Sequence, residues 1–160
     1  MSKGKIPDSI KILIVDRDAN MLEVCRDVLE RAGCIAQTTN SIDGLIAKLL
    51  DEPPELLLLD FDMPEIDSLT FLHEIQRSVP SCCIIGTSVC ASPTLVEAAI
   101  QEKEICDYLT KPFSIEQLKM SIYRCMKRLK LVKREEEFGI RVRKVRDYLR
   151  DVVINLEKLS

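Results

Sequence analysis

Four consecutive leucines, Leu56-Leu57-Leu58-Leu59, end on the acid Asp60. An unbroken apolar run of this kind suits a central strand buried on both faces better than a strand with one wetted side. Shorter runs of the same character recur, so strands are expected near 10–15, 34–38, 55–60, 82–87 and 105–109. Helical patterns fall between them, near 19–32, 41–51, 67–78 and 92–102, and a last helix starts at 114. Strand–helix alternation of this kind predicts a parallel sheet covered by helices on both faces. Ser41 and Ser114 sit where helix N-caps belong, with Pro112 just upstream of the second, and Gly33 closes the first helix.

Open parallel sheets bind ligands outside the carboxyl ends of their strands. The first strand offers Asp16, Arg17 and Asp18 there. The third offers Asp60 and Asp62, the fourth Thr87 and Ser88, and the fifth Lys111. Carboxylates hold a hard divalent cation such as magnesium. A lysine and a hydroxyl beside it can neutralise a phosphoryl group. Each residue alone has an ordinary reading as a solvated loop acid or a packed strand end. Their joint placement on one rim points to a site.

A chain of 160 residues suggests one domain, or one domain with an appendage. No apolar run approaches the roughly 20 residues a bilayer requires, so no membrane association is expected. No signal-peptide core follows Met1. The seven cysteines form no C-x-x-C pair and lie mostly in apolar surroundings. They read as small buried hydrophobes, reduced in a cytoplasm. Charge is unevenly divided: residues 1–126 carry a net −8 and residues 127–160 a net +5.

The stretches "ILIVDRDAN", "PPELLLLDFDMPEIDSLTFL", "CCIIGTSV" and "CDYLTKPFSIEQL" resemble the receiver domain of two-component response regulators, from about Lys11 to about Lys127. The resemblance implies a flavodoxin-like, doubly wound five-stranded parallel sheet in order 2-1-3-4-5. It implies that Asp60 accepts a phosphoryl group from phosphohistidine on a histidine kinase or phosphotransfer protein. Asp16, Asp60 and the backbone carbonyl of Asp62 would hold magnesium. Thr87 and Lys111 would each contact a phosphoryl oxygen, and Lys111–Pro112 would be cis. Tyr108 matches the aromatic switch position. Two turn positions where the family favours glycine carry Ser68, after Asp67, and Glu104.

A third departure touches the chemistry. The family has two adjacent acids after the first strand; here the second position is Arg17. Unit charges 4 Å apart interact by about 4 kcal/mol at an effective dielectric near 20. Exchanging a carboxylate for a guanidinium therefore predicts weak magnesium binding. Either Arg17 lies over Asp60 and imitates the cation, giving a pseudo-receiver that is not phosphorylated, or it points outward and phosphorylation is weak. A third reading is a surface salt bridge to Asp18 or Asp62. His73, the only histidine, reads as a plain surface residue one turn from Arg77.

The division expected is 1–127 for the receiver and 128–160 for a C-terminal helical extension. From Ser114 to Ser160 the pattern stays helical, reaching on the order of 70 Å if straight. Leu118, Ile122, Cys125, Leu129 and Val132 form one stripe; Val142, Val145, Leu149, Val152, Leu156 and Leu159 form a heptad seam. The stripes differ in register near Phe138-Gly139, which predicts a kink or break. Residues 138–159 are expected to drive homo-oligomerisation or to dock a partner helix. The basic residues among Arg141–Arg150 are charged flanks of this seam, and no nucleic-acid partner is expected. The whole reads as a signalling module acting through protein contacts, without an enzymatic output domain. Rival readings are the sensor half of a longer regulator and, from "LLLLDFDMP", a haloacid-dehalogenase-like phosphatase. The latter needs an acidic pair on a strand after the lysine, where helix is expected.

Overall fold

The structure is a computed structural model that describes residues 9–66, 69–89 and 93–159. Asp67, Ser68 and Cys90 lie outside the described residues. The chain divides into two compact units, Met1–Met126 and Lys127–Ser160.

In the first unit the elements alternate: β1 (Lys11–Val15), α1 (Ala19–Arg31), β2 (Ile35–Thr39), α2 (Ile42–Asp51), β3 (Leu56–Asp60), α3 (Leu69–Ser78), β4 (Cys83–Ser88), α4 (Pro93–Gln101), β5 (Asp107–Thr110), and the start of α5 (Ile115–Leu159). All strands pair in parallel, in order β2-β1-β3-β4-β5. Every residue of the central β3 and of β4 is buried, as the unbroken apolar runs require.

Period-two alternation sends successive side chains to opposite faces. Leu13, Val15, Leu57, Leu59 and Ile84 share one core with Leu45 and Leu49 of α2, Leu72 and Ile75 of α3 and Ala99 of α4. The other face carries Ile12, Ile14, Leu56, Leu58, Cys83 and Ile85, all buried. Leu22, Cys25 and Leu29 of α1 and Leu118, Ile122 and Cys125 of α5 are buried too, and the Cys83 thiol lies 3.9 Å from the Cys125 carbonyl.

Helix ends follow the local chemistry. Ser41 Oγ accepts from the Gly44 amide at 3.0 Å. Ser114 and Gln117 cap each other reciprocally at 3.1 and 2.8 Å. Gly33, at φ 93°, makes the left-handed turn that ends α1. No disulfide joins the described cysteines, and burial raises the thiol pKa of Cys25 to about 11 and of Cys82 to about 12.

Of the kink or break expected at Phe138-Gly139, the break is absent. α5 runs as one 45-residue helix through Gly139. One interior glycine costs about 1 kcal/mol relative to alanine, too little to end a helix that continues well beyond it on both sides. Within Lys127–Ser160, the seam residues Val142, Val145, Leu149, Leu156 and Leu159 are exposed. No helix among the described residues is long and apolar enough to cross a membrane.

Candidate functional site: an acidic pocket at the carboxyl ends of the strands

β1 and β3 are neighbours, so their carboxyl ends bring Asp16 and Asp60 to one place. Both acids are buried, 3% and 5% exposed. Such burial demands partners. Lys111 supplies the charge: its Nζ lies 2.7 Å from Asp16 Oδ2 and 3.4 Å from Asp60 Oδ1. Backbone amides supply the rest. Asp16 Oδ1 accepts from the Asp18 amide and Asp60 Oδ1 from the Asp62 amide, each at 2.9 Å.

Burial, the largest influence, pushes the Asp60 pKa above the usual carboxylate value, and Asp16 adds to it. The Asp62 amide and Lys111 act against the rise. For Lys111, burial opposes the charge, but the hydrogen bond to Asp16 and both carboxylates outweigh it and hold the ammonium above its ordinary pKa. The pocket is therefore a mutually dependent triad of two acids and one cation.

Thr87 stands opposite Asp60 in the β3–β4 register and is buried. Lys111 follows β5, its amide donating to the Ser88 carbonyl at 2.8 Å, and Lys111–Pro112 is cis. Tyr108 is half-buried, its ring 6.4 Å from that of Phe61. Phe61 in turn lies against Gly86, where a Cβ would approach the ring to 2.7 Å. The missing Cβ at Gly86, next to Thr87, is thus what leaves room for the Phe61 ring.

Arg17 does not lie over Asp60. Its Nη2 is 3.1 Å from both carboxylate oxygens of Glu65, in the loop after β3, and both side chains are about half exposed. The expected partners, Asp18 and Asp62, are otherwise engaged. Asp18 caps α1, accepting from the Asn20 amide at 3.0 Å. Asp62 accepts from the Ser88 hydroxyl and, at 2.8 Å, from the Val89 amide. Sequence reasoning missed Glu65 and the Ser88–Asp62 pair. Glu65 lies in a loop, where pattern carries no direction; Ser88 was visible only as a rim hydroxyl.

The side chain of Asp62 is thus turned to β4, and helix α5, not a strand, follows Lys111. Both features oppose the phosphatase reading, which needs Asp60 and Asp62 to act together and a later acidic pair on a strand.

A doubly wound parallel sheet in order β2-β1-β3-β4-β5, with two buried acids and a lysine at its carboxyl edge, is the arrangement that the resemblance to receiver domains implies. The profile of the response regulator receiver domain matches residues 12–123. The chemotaxis protein CheY of Bacillus subtilis is 32% identical over 110 residues, covering 68% of this chain and 90% of that protein. The probable C4-dicarboxylate response regulator DctR of Halalkalibacterium halodurans is 28% identical, covering 81% of this chain and 57% of that protein. A CheY-like receiver domain from Methanospirillum hungatei superposes with a TM-score of 0.69 at 23% identity, covering 80% of this chain and 99% of that one. The chain belongs to the response regulator receiver family and is a receiver module of two-component signalling. It matches 57% of DctR's length and 23% of a longer regulator's, NtrC of Proteus hauseri. Receiver domains themselves are non-enzymatic, typically bind magnesium through acidic residues, and interact with histidine kinases or phosphotransfer proteins.

Proposed function

We propose that Asp60 is the phosphoacceptor of this receiver, and that the chain signals in the cytoplasm through protein contacts. The observation that carries this is the placement of Asp60: buried at the end of the central strand, with Lys111 Nζ 3.4 Å away and Thr87 directly opposite. An Asp60 oxygen attacks phosphorus, the phosphorus–nitrogen bond to the donor histidine breaks, and the imidazole leaves. The product is an acyl phosphate. Lys111 holds Asp60 in its charged form beforehand and pairs with a phosphoryl oxygen afterwards. Thr87 contacts another, and Tyr108 follows Thr87 inward, biasing a two-state equilibrium.

Asp16 and Asp60 fit a magnesium ion of the kind held by one or two carboxylates and waters. The Asp62 carbonyl would complete the protein's share. When bound, the ion would neutralise charge on the transferring phosphoryl group. Arg17 occupies the position of a third carboxylate, so binding is weak even though the guanidinium is drawn off by Glu65. Labelling with a small phosphodonor, followed by mass spectrometry, tests the assignment. Label appears on Asp60 and is lost in Asp60→Asn; label that persists undiminished in that variant defeats it.

Residues 138–159 supply the assembly element. Their exposed apolar seam pairs with further copies of the same helix, or with a partner helix of matching pattern.

A further inference from the structure

We propose that His73, Glu102 and Glu104 form a second cation site, suited to a borderline divalent metal such as zinc. It lies at the amino-terminal edge of the sheet, where α4 turns into β5, and so at the opposite edge from Asp60. It is independent of phosphoryl acceptance.

His73 is not the plain surface residue its sequence position suggests. Nε2 lies 2.9 Å from Glu102 Oε2, and Nδ1 lies 2.5 Å from Glu104 Oε1. A neutral imidazole has one proton, so one nitrogen would face a carboxylate with its lone pair. The ring needs a second positive centre, either a proton or a metal ion. Charge separates these. Two carboxylates exceed one imidazolium by a full negative charge. Glu104 is the buried one, 7% exposed, and its Oε2 has no hydrogen-bond partner. A proton on His73 serves Oε1 and leaves Oε2 unmet. A divalent ion balances both acids and gives the buried carboxylate a positive partner.

The ligand atoms of the three residues lie within 4.8 Å of one another. His73 and Glu102 are half-exposed, so modest rotations bring them to the roughly 2.0–2.2 Å that zinc takes with nitrogen and oxygen ligands. The backbone holds the cradle in place without the ion. Lys103 adopts a left-handed φ of 60°, turning the chain between the two glutamates. The Glu104 amide donates to the Ala99 carbonyl at 2.8 Å. Gln76, one turn beyond His73 on α3, donates to the Glu104 carbonyl at 3.1 Å and to the Cys82 carbonyl at 3.4 Å. One imidazole with two carboxylates selects zinc over magnesium, which prefers oxygen ligands only. Three protein ligands leave a fourth position open to water or to a group from another molecule.

Because the chain has one histidine, its ring nitrogens give unambiguous nuclear magnetic resonance signals. Zinc chloride is titrated into the full chain and the His73 ring resonances are followed. They shift and saturate at one equivalent, and magnesium leaves them in place. Glu102→Gln, at an exposed position that spares the fold, weakens the zinc midpoint by about tenfold, and Glu104→Gln by at least as much. Three results would overturn the site: ring signals that stay still while zinc binds elsewhere, as on cysteines; a ring doubly protonated throughout the titration; or Glu102→Gln saturating at the native zinc concentration.

Discussion

At the scale of single residues, the pocket carries its own stability cost. Burial raises the Asp60 pKa in the folded state above the unfolded value near 3.8. For a raised acid the favourable contribution is present below the unfolded pKa and is lost as pH rises through the folded one. Ionised Asp60 therefore weakens the fold at neutral pH. Asp60→Asn should abolish phosphorylation and yet stabilise the protein at pH 7. Denaturant titrations at pH 7 and below about pH 4 check this, since the gain should vanish where Asp60 is already protonated. Arg17 makes a second prediction. Its contact with Glu65 is a half-exposed pair worth no more than about 1 kcal/mol, so it does not silence the guanidinium. Arg17→Asp adds a third carboxylate and should tighten magnesium binding at least tenfold, about 1.4 kcal/mol. A magnesium titration of both proteins decides; equal affinities would mean that Arg17 leaves the cation alone. Asp16, Asp60 and Lys111 were readable in the sequence because strand ends converge by topology. The direction of Arg17 was not, because an exposed side chain chooses among several nearby acids by small margins.

At the scale of elements, caps and strands were legible and side-chain bridges between elements were not. The runs that predicted five strands match β1–β5 closely; the central β3 and β4 are buried on both faces and so nearly apolar throughout, while the outer β2 and β5 are only partly buried. Glu104 was visible only as a missing glycine before β5; its approach to His73 depends on how α3 meets the α4–β5 turn. Asp107, the first residue of β5, is another such bridge. It accepts from Ser121 Oγ at 2.6 Å and Arg124 Nη2 at 2.9 Å, both on α5, and from the Tyr108 amide at 2.8 Å. Burial acts to raise its pKa, but the Ser121, Tyr108 and Arg124 hydrogen bonds outweigh it, so the carboxyl sits below its ordinary value. A depressed acid stabilises above its unfolded pKa, and the contribution is lost as pH falls through the folded one. Ser121→Ala removes a bond to a charged group and leaves Asp107 less satisfied. It should cost about 1.5–3 kcal/mol at pH 7 and less in acid, measured by denaturant unfolding at both pH values. An undiminished loss at low pH would mean that packing of the fully buried Ser121, not the bond to Asp107, is what the substitution disturbs.

At the scale of the whole molecule, a net −8 over residues 1–126 and +5 over 127–160 would set how copies meet if the seam self-associates as proposed. With Val142, Leu149 and Leu156 at a and Val145, Val152 and Leu159 at d, the flanking g and e positions of the first heptad are Arg141 and Arg146. In a parallel two-stranded seam these face each other and repel. The next pair, Tyr148 and Val153, is apolar and exposed, which widens the stripe. Both features favour a bundle of more than two helices over a two-stranded seam. Association should therefore strengthen with salt, because the Debye length falls from about 10 Å at 0.1 M to about 3 Å at 1 M and the arginines are screened while apolar burial is not. Light scattering on the full chain across that range should give a mass above a dimer that rises or holds with salt. Leu149→Glu, placing a charge in the seam, should return the chain to a monomer without altering phosphodonor labelling of Asp60. A native chain that is monomeric at every salt concentration would exclude self-association and leave the seam to a partner helix. A mass that falls with salt would place the contact in the opposite charges of the two parts, not in the seam.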